Sequence, residues 1–168
     1  MPNKKSLLRT WAKQVRKNLK NNSALVEKLI HSEVYKYAQN IMLFYPMKDE
    51  VNLLPILEDS TKNFYLPKVG NQSLLCCPYC SGDELTTSCF NTKEPISHPI
   101  NPDKLDLIIV PALAVDNNNY RLGYGGGFYD RFLQNKSATT LVCIQKELVV
   151  ATIYPEEFDI PVDIVITD

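Results

Sequence analysis

Four of the chain's six glycines fall within five positions, in the segment Arg121-Leu122-Gly123-Tyr124-Gly125-Gly126-Gly127-Phe128-Tyr129-Asp130-Arg131. Such density costs backbone entropy and weakens regular structure, so a stable domain keeps it where the backbone itself has work to do. Successive amides without Cβ atoms can turn inward into a nest for an anion, and a phosphate can approach them closely. The pattern places the segment after a strand and before a helix, where amide donors and the helix dipole favour negative charge. Arg121 and Arg131 add positive charge on either side, and Asp130 lies within reach of a magnesium ion bridging phosphates. The segment therefore reads as a phosphate-binding loop. A plain turn would need one or two glycines and no flanking Arg, Asp and aromatic residues. The loop is not of the Walker type, because no Gly-Lys-Ser/Thr follows. It is not the dinucleotide fingerprint either, because Gly127 lies two positions after Gly125 where that pattern needs three.

Other residue types in the chain could also do chemistry. Lys5 and Arg9 lie four apart on the first expected helix, and a Lys and an Arg so placed ordinarily belong to a solvated face. Glu50 closes a turn after an apolar run, where a carboxylate could cap the next element. Cys76, Cys77, Cys80 and Cys89 cluster, and Cys143 stands apart. Cys77-Pro-Tyr-Cys80 could be half a zinc site with Cys89 and His98, but the spacing to those partners matches no standard knuckle pair. Free thiols are the expectation for a chain without an export signal.

These residues need elements to position them. Lys4 to Lys20 has helical periodicity, with Leu8, Trp11, Val15 and Leu19 as its apolar stripe. A second helix is expected from Ser23 as N-cap to a point before Asn40, with Leu25, Leu29 and Val34 facing the core. Ile41 to Tyr45, closed by Pro46, reads as a buried strand. Val51 to Leu57 reads as a short helix that takes Pro55 in its first turn. Strands are expected at Phe64 to Pro67, Ser73 to Cys77, Leu105 to Val110, Thr139 to Ile144 and Val162 to Ile166, and a helix at Phe128 to Gln134. Residues 78 to 104 have no regular pattern, and loops of that length in compact domains are usually functional or mobile. Strands alternating with helices predict a mainly parallel sheet covered on both faces.

At 168 residues the chain suits a single domain, 1–168, that can bury a core without disulfides. Hydrophobic residues make up 45% and charged residues 22%, which is ordinary for a globular protein. The net charge of -1 gives no support to nucleic acid or an anionic membrane as partner. No apolar signal region follows the N-terminus, and the longest apolar runs are too short to span a bilayer. A cytoplasmic location is expected, without membrane contact.

Asp106-Leu-Ile-Ile-Val-Pro-Ala-Leu-Ala-Val-Asp116, followed by Arg121-Leu-Gly-Tyr-Gly-Gly-Gly-Phe-Tyr-Asp130, resembles the signature of the 5-formyltetrahydrofolate cyclo-ligase family, also called methenyltetrahydrofolate synthetases. The resemblance extends along most of the chain. It takes in a Lys-x-x-x-Arg helix, a Tyr-Pro turn before Glu, an aromatic-Leu-Pro-Lys strand, a Glu-Pro pair, the glycine loop and a final Pro-x-Asp strand. It implies a single three-layer α/β/α domain with a mainly parallel central sheet and Rossmann-like topology. Lys5 and Arg9 then match a basic pair on ATP phosphates. Glu50 matches the acidic residue that holds the pterin ring, and Tyr45 matches a substrate-lining position. Lys68 matches a basic position beside folate and nucleotide. Arg121, Leu122, Gly123, Tyr124, Gly125, Gly126, Gly127, Phe128 and Tyr129 match the ATP loop, with Tyr124 to Phe128 also facing the folate. Asp130 and Asp163 match magnesium ligands. Ala112 and Val115 stand where Gly and Phe are common, which predicts packing differences only, and Phe158 stands where many members have His.

The resemblance implies that 5-formyltetrahydrofolate and ATP, with Mg2+, give 5,10-methenyltetrahydrofolate, ADP and phosphate through a phosphorylated formyl (imidate phosphate) intermediate. Lys5, Arg9, Arg121 and Asp130 would act on the reacting phosphates. The chain is expected to be a monomer. Two other readings stay open: another ATP-dependent ligase or kinase on the same scaffold, and a non-catalytic folate- or nucleotide-binding protein. The second would be expected to lose Lys5, Arg9 or Asp130, and all three are present.

Overall fold

The computed structural model describes residues 1, 3–19 and 22–168. Helix α1 spans Lys4–Arg16 and starts at Asn3, whose side chain accepts from the Ser6 N–H at 2.7 Å. The expected helix end at Lys20 lies outside the described residues, and the helix itself stops at Arg16. Its buried residues are Lys5, Ala12 and Arg16, while Trp11 is 38% exposed. Leu8, Val15 and Leu19 are only partly buried against the core. The expected apolar stripe is thus a flank, and a polar row faces inward.

The expected second helix is two helices, α2 (Ser23–His31) and α3 (Glu33–Tyr37). Ser32 separates them in an extended conformation, and its hydroxyl accepts from the Tyr35 N–H at 3.3 Å. That local side-chain bond competes with helix continuation and caps the next helix. The N-cap of α2 is Asn22 rather than Ser23. The 51–57 helix is a 3-10 turn over Leu54–Glu58 with Pro55 at its start.

The strands are β1 (Asn40–Met42), β2 (Asn63–Val69), β3 (Leu74–Pro78), β4 (Leu85–Thr87), β5 (Lys93–Pro95), β6 (Leu107–Ile109), β7 (Ala114–Asp116), β8 (Arg121–Leu122), β9 (Thr139–Ile144), β10 (Val149–Val150) and β11 (Ile164–Thr167). The main sheet runs β11-β9-β6-β1-β2-β3, parallel except for the β2–β3 pair. Counted by order of appearance in that sheet, the sequence is 3-2-1-4-5-6, the doubly wound order that reverses between its first and fourth strands. Residues 78–104, expected to be irregular, hold the β4–β5 hairpin.

Alternation along the buried strands feeds two cores. Met42, Ile108, Val142 and Ile144 point to one side, with Ala12 of α1, Phe132 and Leu133 of helix α4 (Phe128–Leu133), and the small sheet β10-β7-β8. Ile41, Leu43, Leu107, Ile109 and Leu141 point to the other, against Leu25 and Leu29 of α2 and Tyr35 of α3. Each fully buried leucine of α2 is worth about 1.5–3 kcal/mol of transfer free energy, which holds this short helix on the sheet. The result is three layers. No described helix is long and apolar enough to cross a membrane.

Candidate active site

In an open doubly wound sheet, ligands bind beyond the C-terminal ends of the strands where the order reverses. Here that point lies between β1 and β6. A cavity of about 640 Å³ opens there, with Phe44 and Tyr45 after β1, Pro111 after β6, and Pro67 and Val69 of β2 in its wall. Its volume suits a drug-sized ligand. The glycine loop, Lys5 and Arg9 of α1, Glu50 and Glu94 complete the lining.

The glycine loop joins β8 to α4, as its position in the sequence predicts. Gly125 and Gly127 have φ of 109° and 68°, in the left-handed region that glycine enters without steric cost. Arginines tie the loop down. Arg9 Nε donates to the Gly123 carbonyl at 2.8 Å, and Arg131 Nη1 donates to the Gly126 carbonyl at 3.0 Å. Arg131 Nε also reaches the Gln72 carbonyl at 2.6 Å, so Arg131 anchors the loop from outside the cavity lining. Because α4 has only 6 residues, the fixed charges around the loop outweigh its dipole.

Three cations border this end of the cavity. Arg121 is buried, with Nη2 at 3.4 Å from Asp130 Oδ1. Burial lowers its proton affinity from the ordinary value, and Asp130 opposes that. A guanidinium remains charged throughout the physiological range. Its Nε is a buried donor without a partner among the described residues. Such a group costs about 1–3 kcal/mol unless a ligand or water satisfies it. Lys5 is also buried. Its ammonium pairs with Asp159 and lies 3.4 Å from Glu156.

Two buried carboxylates, Glu50 and Glu94, also line the cavity. The Glu50 side chain is 6% exposed, and Oε1 accepts from the Met47 N–H at 2.9 Å. Burial pushes its carboxyl up, while the Met47 amide, Arg16 and the Tyr124 hydroxyl pull it back. Tyr124 is pushed up to about 12, first by burial and then by the Glu50 charge. Tyr129 is raised above the usual tyrosine range for the same two reasons. Phe128 packs edge-on against Phe90 at 5.7 Å.

This cavity gathers Lys5, Arg9, Tyr45, Glu50, Arg121 to Tyr129 and Asp130. Two expected residues are elsewhere. Lys68 does not line it: Pro67 and Val69 do, and strand alternation turns Lys68 to the opposite face. Asp163 does not line it either. Its Oδ2 accepts from the Thr140 N–H at 2.8 Å and from Thr140 Oγ1 at 2.9 Å, fastening β11 to β9. Asp159, four residues earlier, is the aspartate in the wall. Asp130 and Asp159 are thus the carboxylates beside the cationic end. The described residues contain no cluster of three or more potential metal ligands. The zinc reading of the cysteines has no support there: Cys76 and Cys77 are buried, and Cys80 and Cys89 are exposed as free thiols.

The 5-formyltetrahydrofolate cyclo-ligase family model matches residues 3–168. The chain belongs to that family. It is a ligase of folate metabolism. The Escherichia coli K12 5-formyltetrahydrofolate cyclo-ligase is 33% identical over 144 residues, covering 77% of this chain and 78% of its own. The Mus musculus cyclo-ligase is 28% identical, covering 92% and 86%. Among solved structures, the Aquifex aeolicus 5,10-methenyltetrahydrofolate synthetase superposes with a TM-score of 0.84 at 30% identity, over 97% of this chain and 89% of that one. The Mycoplasma pneumoniae synthetase shares the fold, with a TM-score of 0.73 at 20% identity and 96% of each chain covered.

Within this cyclo-ligase fold, sequence reasoning missed Asp159, Glu94 and Arg16. Glu94 is buried in the cavity wall, and its Oε1 accepts from the Val69 N–H at 2.9 Å. Arg16 lies behind the wall and reaches both Glu50 and Tyr124. Helical arithmetic could have flagged it. At about 100° per residue, Lys5, Arg9 and Arg16 fall within about 40° of one another on α1.

Proposed function

We propose that the chain converts 5-formyltetrahydrofolate to 5,10-methenyltetrahydrofolate, using ATP with magnesium and releasing ADP and phosphate. The observation that carries this reading is one cavity whose lining combines two chemistries: the buried Glu50 side chain with apolar residues such as Phe44 and Pro67, and Lys5, Arg9 and Arg121 around a glycine loop. A pterin offers ring and exocyclic N–H groups in one plane, and a carboxylate can accept two such bonds in parallel. Phe44, Tyr45, Pro67 and Phe128 supply the apolar surround. The triphosphate belongs against the loop amides and the three cations that line the cavity.

Formamide oxygen is a poor leaving group, so the ring closes only after that oxygen is activated. Transfer of the γ-phosphoryl to the formyl oxygen breaks the β–γ bridge, releases ADP and forms an imidate phosphate. The side-arm nitrogen, N10, then attacks the formyl carbon and loses its proton. The oxygen departs with phosphate. No enzyme nucleophile is needed. Glu50 orients the pterin, and Lys5, Arg9 and Arg121 hold the phosphates in line with the formyl oxygen. Magnesium takes one or two carboxylates plus phosphate oxygens, and Asp130 and Asp159 in the wall fit that demand where Asp163 does not. Bound there, it would neutralise phosphate charge. A monomeric, cytoplasmic enzyme is part of the same proposal.

The test mixes purified protein, 5-formyltetrahydrofolate, ATP and magnesium and follows the ultraviolet absorbance of the methenyl product. An ATP-dependent rise is expected, and a flat trace with active folate and nucleotide would sink the reading.

A further inference from the structure

We infer that Arg16 is a positioning residue that locks the Glu50 carboxylate and the Tyr124 hydroxyl into one unit, joining the folate end of the cavity to the glycine loop. The inference rests on the proposal that Glu50 holds the pterin. Arg16 is buried, does not line the cavity, and uses all three of its nitrogens toward it. Nε donates to the Asp49 carbonyl at 2.9 Å and so fixes the turn that presents Glu50. Nη1 donates to the Tyr124 hydroxyl at 2.8 Å. Nη2 lies 3.9 Å from Glu50 Oε2. The Tyr124 hydroxyl and the Glu50 carboxylate thus share one guanidinium, which ties the glycine loop to the turn that carries Glu50.

Planarity is what allows this. A guanidinium projects donors in a rigid fork, so it can hold the Asp49 carbonyl of the turn and the Tyr124 hydroxyl of the loop at once while its charge stays beside Glu50. A lysine ammonium is a point charge on a flexible stem and cannot reproduce that geometry. Burial also matters: the side chains of Arg16 and Glu50 are 7% and 6% exposed, so solvent screens their attraction weakly. The groups facing Glu50 are Arg16 from α1, Tyr124 from the loop and Tyr129 from α4. Among these described residues Arg16 is the one cation, so it favours the charged, acceptor-only carboxylate against the burial that favours its neutral form. A charged Glu50 is what the pterin N–H groups require.

The experiment measures steady-state kinetics of methenyl formation for Arg16→Lys, Arg16→Gln, Glu50→Gln and the Arg16→Gln/Glu50→Gln pair. Both Arg16 variants are expected to raise KM for 5-formyltetrahydrofolate by about 10-fold or more, with KM for ATP changed by less than about 2-fold. The acid limb of the kcat/KM profile for folate should move to higher pH in Arg16→Gln, because the lost cation had held Glu50 ionised. The double variant should be no worse than Glu50→Gln alone, since residues acting as one unit are non-additive. Equal losses for both substrates, or multiplying losses in the double variant, would overturn the assignment. If the Arg16 variants do not fold, Tyr124→Phe leaves α1 untouched and removes the hydroxyl that Arg16 holds. It should raise the same KM by about 3-fold or more, and an unchanged KM would also overturn the assignment. Wild-type protein without ATP-dependent turnover would instead mark failure of the proposed function itself.

Discussion

Lys5 and Asp159, separated by 154 positions, form a buried ion pair in the cavity wall, and Asp163 stands apart from it on Thr140. The two aspartates lie four residues apart, yet one joins α1 to the C-terminal segment at the cationic end and the other only fastens two strands. A magnesium role for Asp159 would require its oxygens to be shared between Lys5 and the metal. Asp159→Asn is therefore expected to raise the magnesium concentration for half-maximal activity by about 10-fold, titrated at saturating ATP. Asp163→Ala should leave that titration unchanged and lower the unfolding free energy by about 1 kcal/mol, read from urea melts. The reverse pattern would restore Asp163 as the ligand.

Gly127 and Gly82 separate backbone strain from loop function. Both have positive φ, 68° and 89°. A Cβ on Gly127 would sit 2.8 Å from Arg131 Nη1, the donor to Gly126, whereas a Cβ on Gly82 meets nothing within 4 Å. Either alanine should cost about 1–2 kcal/mol for the left-handed backbone. Gly127→Ala should in addition raise KM for ATP by about 10-fold, through displacement of Arg131, while Gly82→Ala keeps KM unchanged. Thermal melts and ATP titrations on both variants decide this. Equal KM values would mean that the Arg131 anchor is irrelevant to the nucleotide.

The glycine loop was legible because its information is local: four glycines, two arginines and an aspartate in one short segment specify a backbone that cradles an anion. The central strands were legible because Leu107 to Ile109 and Leu141 to Ile144 are buried on both faces and read as unbroken apolar runs. The small sheet was not. Strands β8 and β10 have 2 residues each, too few for a period of two to register. Lys68 and Asp163 fall outside the cavity wall for a related reason, since a motif fixes their neighbourhood but not the face. One step along β2 exchanges Lys68 for Pro67 or Val69, and four residues exchange Asp163 for Asp159. Arg16 was hidden by the ordinary expectation that a helical arginine is solvated, which its place on the Lys5–Arg9 face and the packing of α1 against the Glu50 turn override.

The cysteines should divide by burial. The thiols of Cys76 and Cys143 are both pushed up to about 12 by desolvation, and Cys77 is raised for the same reason. Thiolate is the reactive form, so these three should resist alkylation in the folded protein. Cys80 and Cys89 are exposed and should react readily. Iodoacetamide labelling followed by mass spectrometry is expected to mark those two before denaturant is added and all five afterward. Early labelling of Cys77 would show that the β2–β3 edge opens.

Glu50 is where stability and function should oppose each other. Burial raises its carboxyl from the ordinary value, so the folded state binds that proton more tightly than the unfolded chain does. Stability from this group is fully present below its unfolded value and is lost as pH rises through the raised one. At neutral pH the ionised side chain is therefore a net burden on the fold, eased by Arg16 and the Met47 amide. Glu50→Gln keeps the shape and removes the charge. Its Tm relative to wild type should be near equal at pH 4 and should rise as the pH is brought to 7. The same variant should lose about 100-fold in kcat/KM for 5-formyltetrahydrofolate, because a pterin-binding carboxylate is replaced by an amide that offers a donor where an acceptor is needed. Melts across that pH range, run beside the absorbance assay, measure both. A variant that lost activity and also lost Tm at pH 7 would place Glu50 in holding the fold rather than the substrate, and would move the pterin contact elsewhere in the cavity.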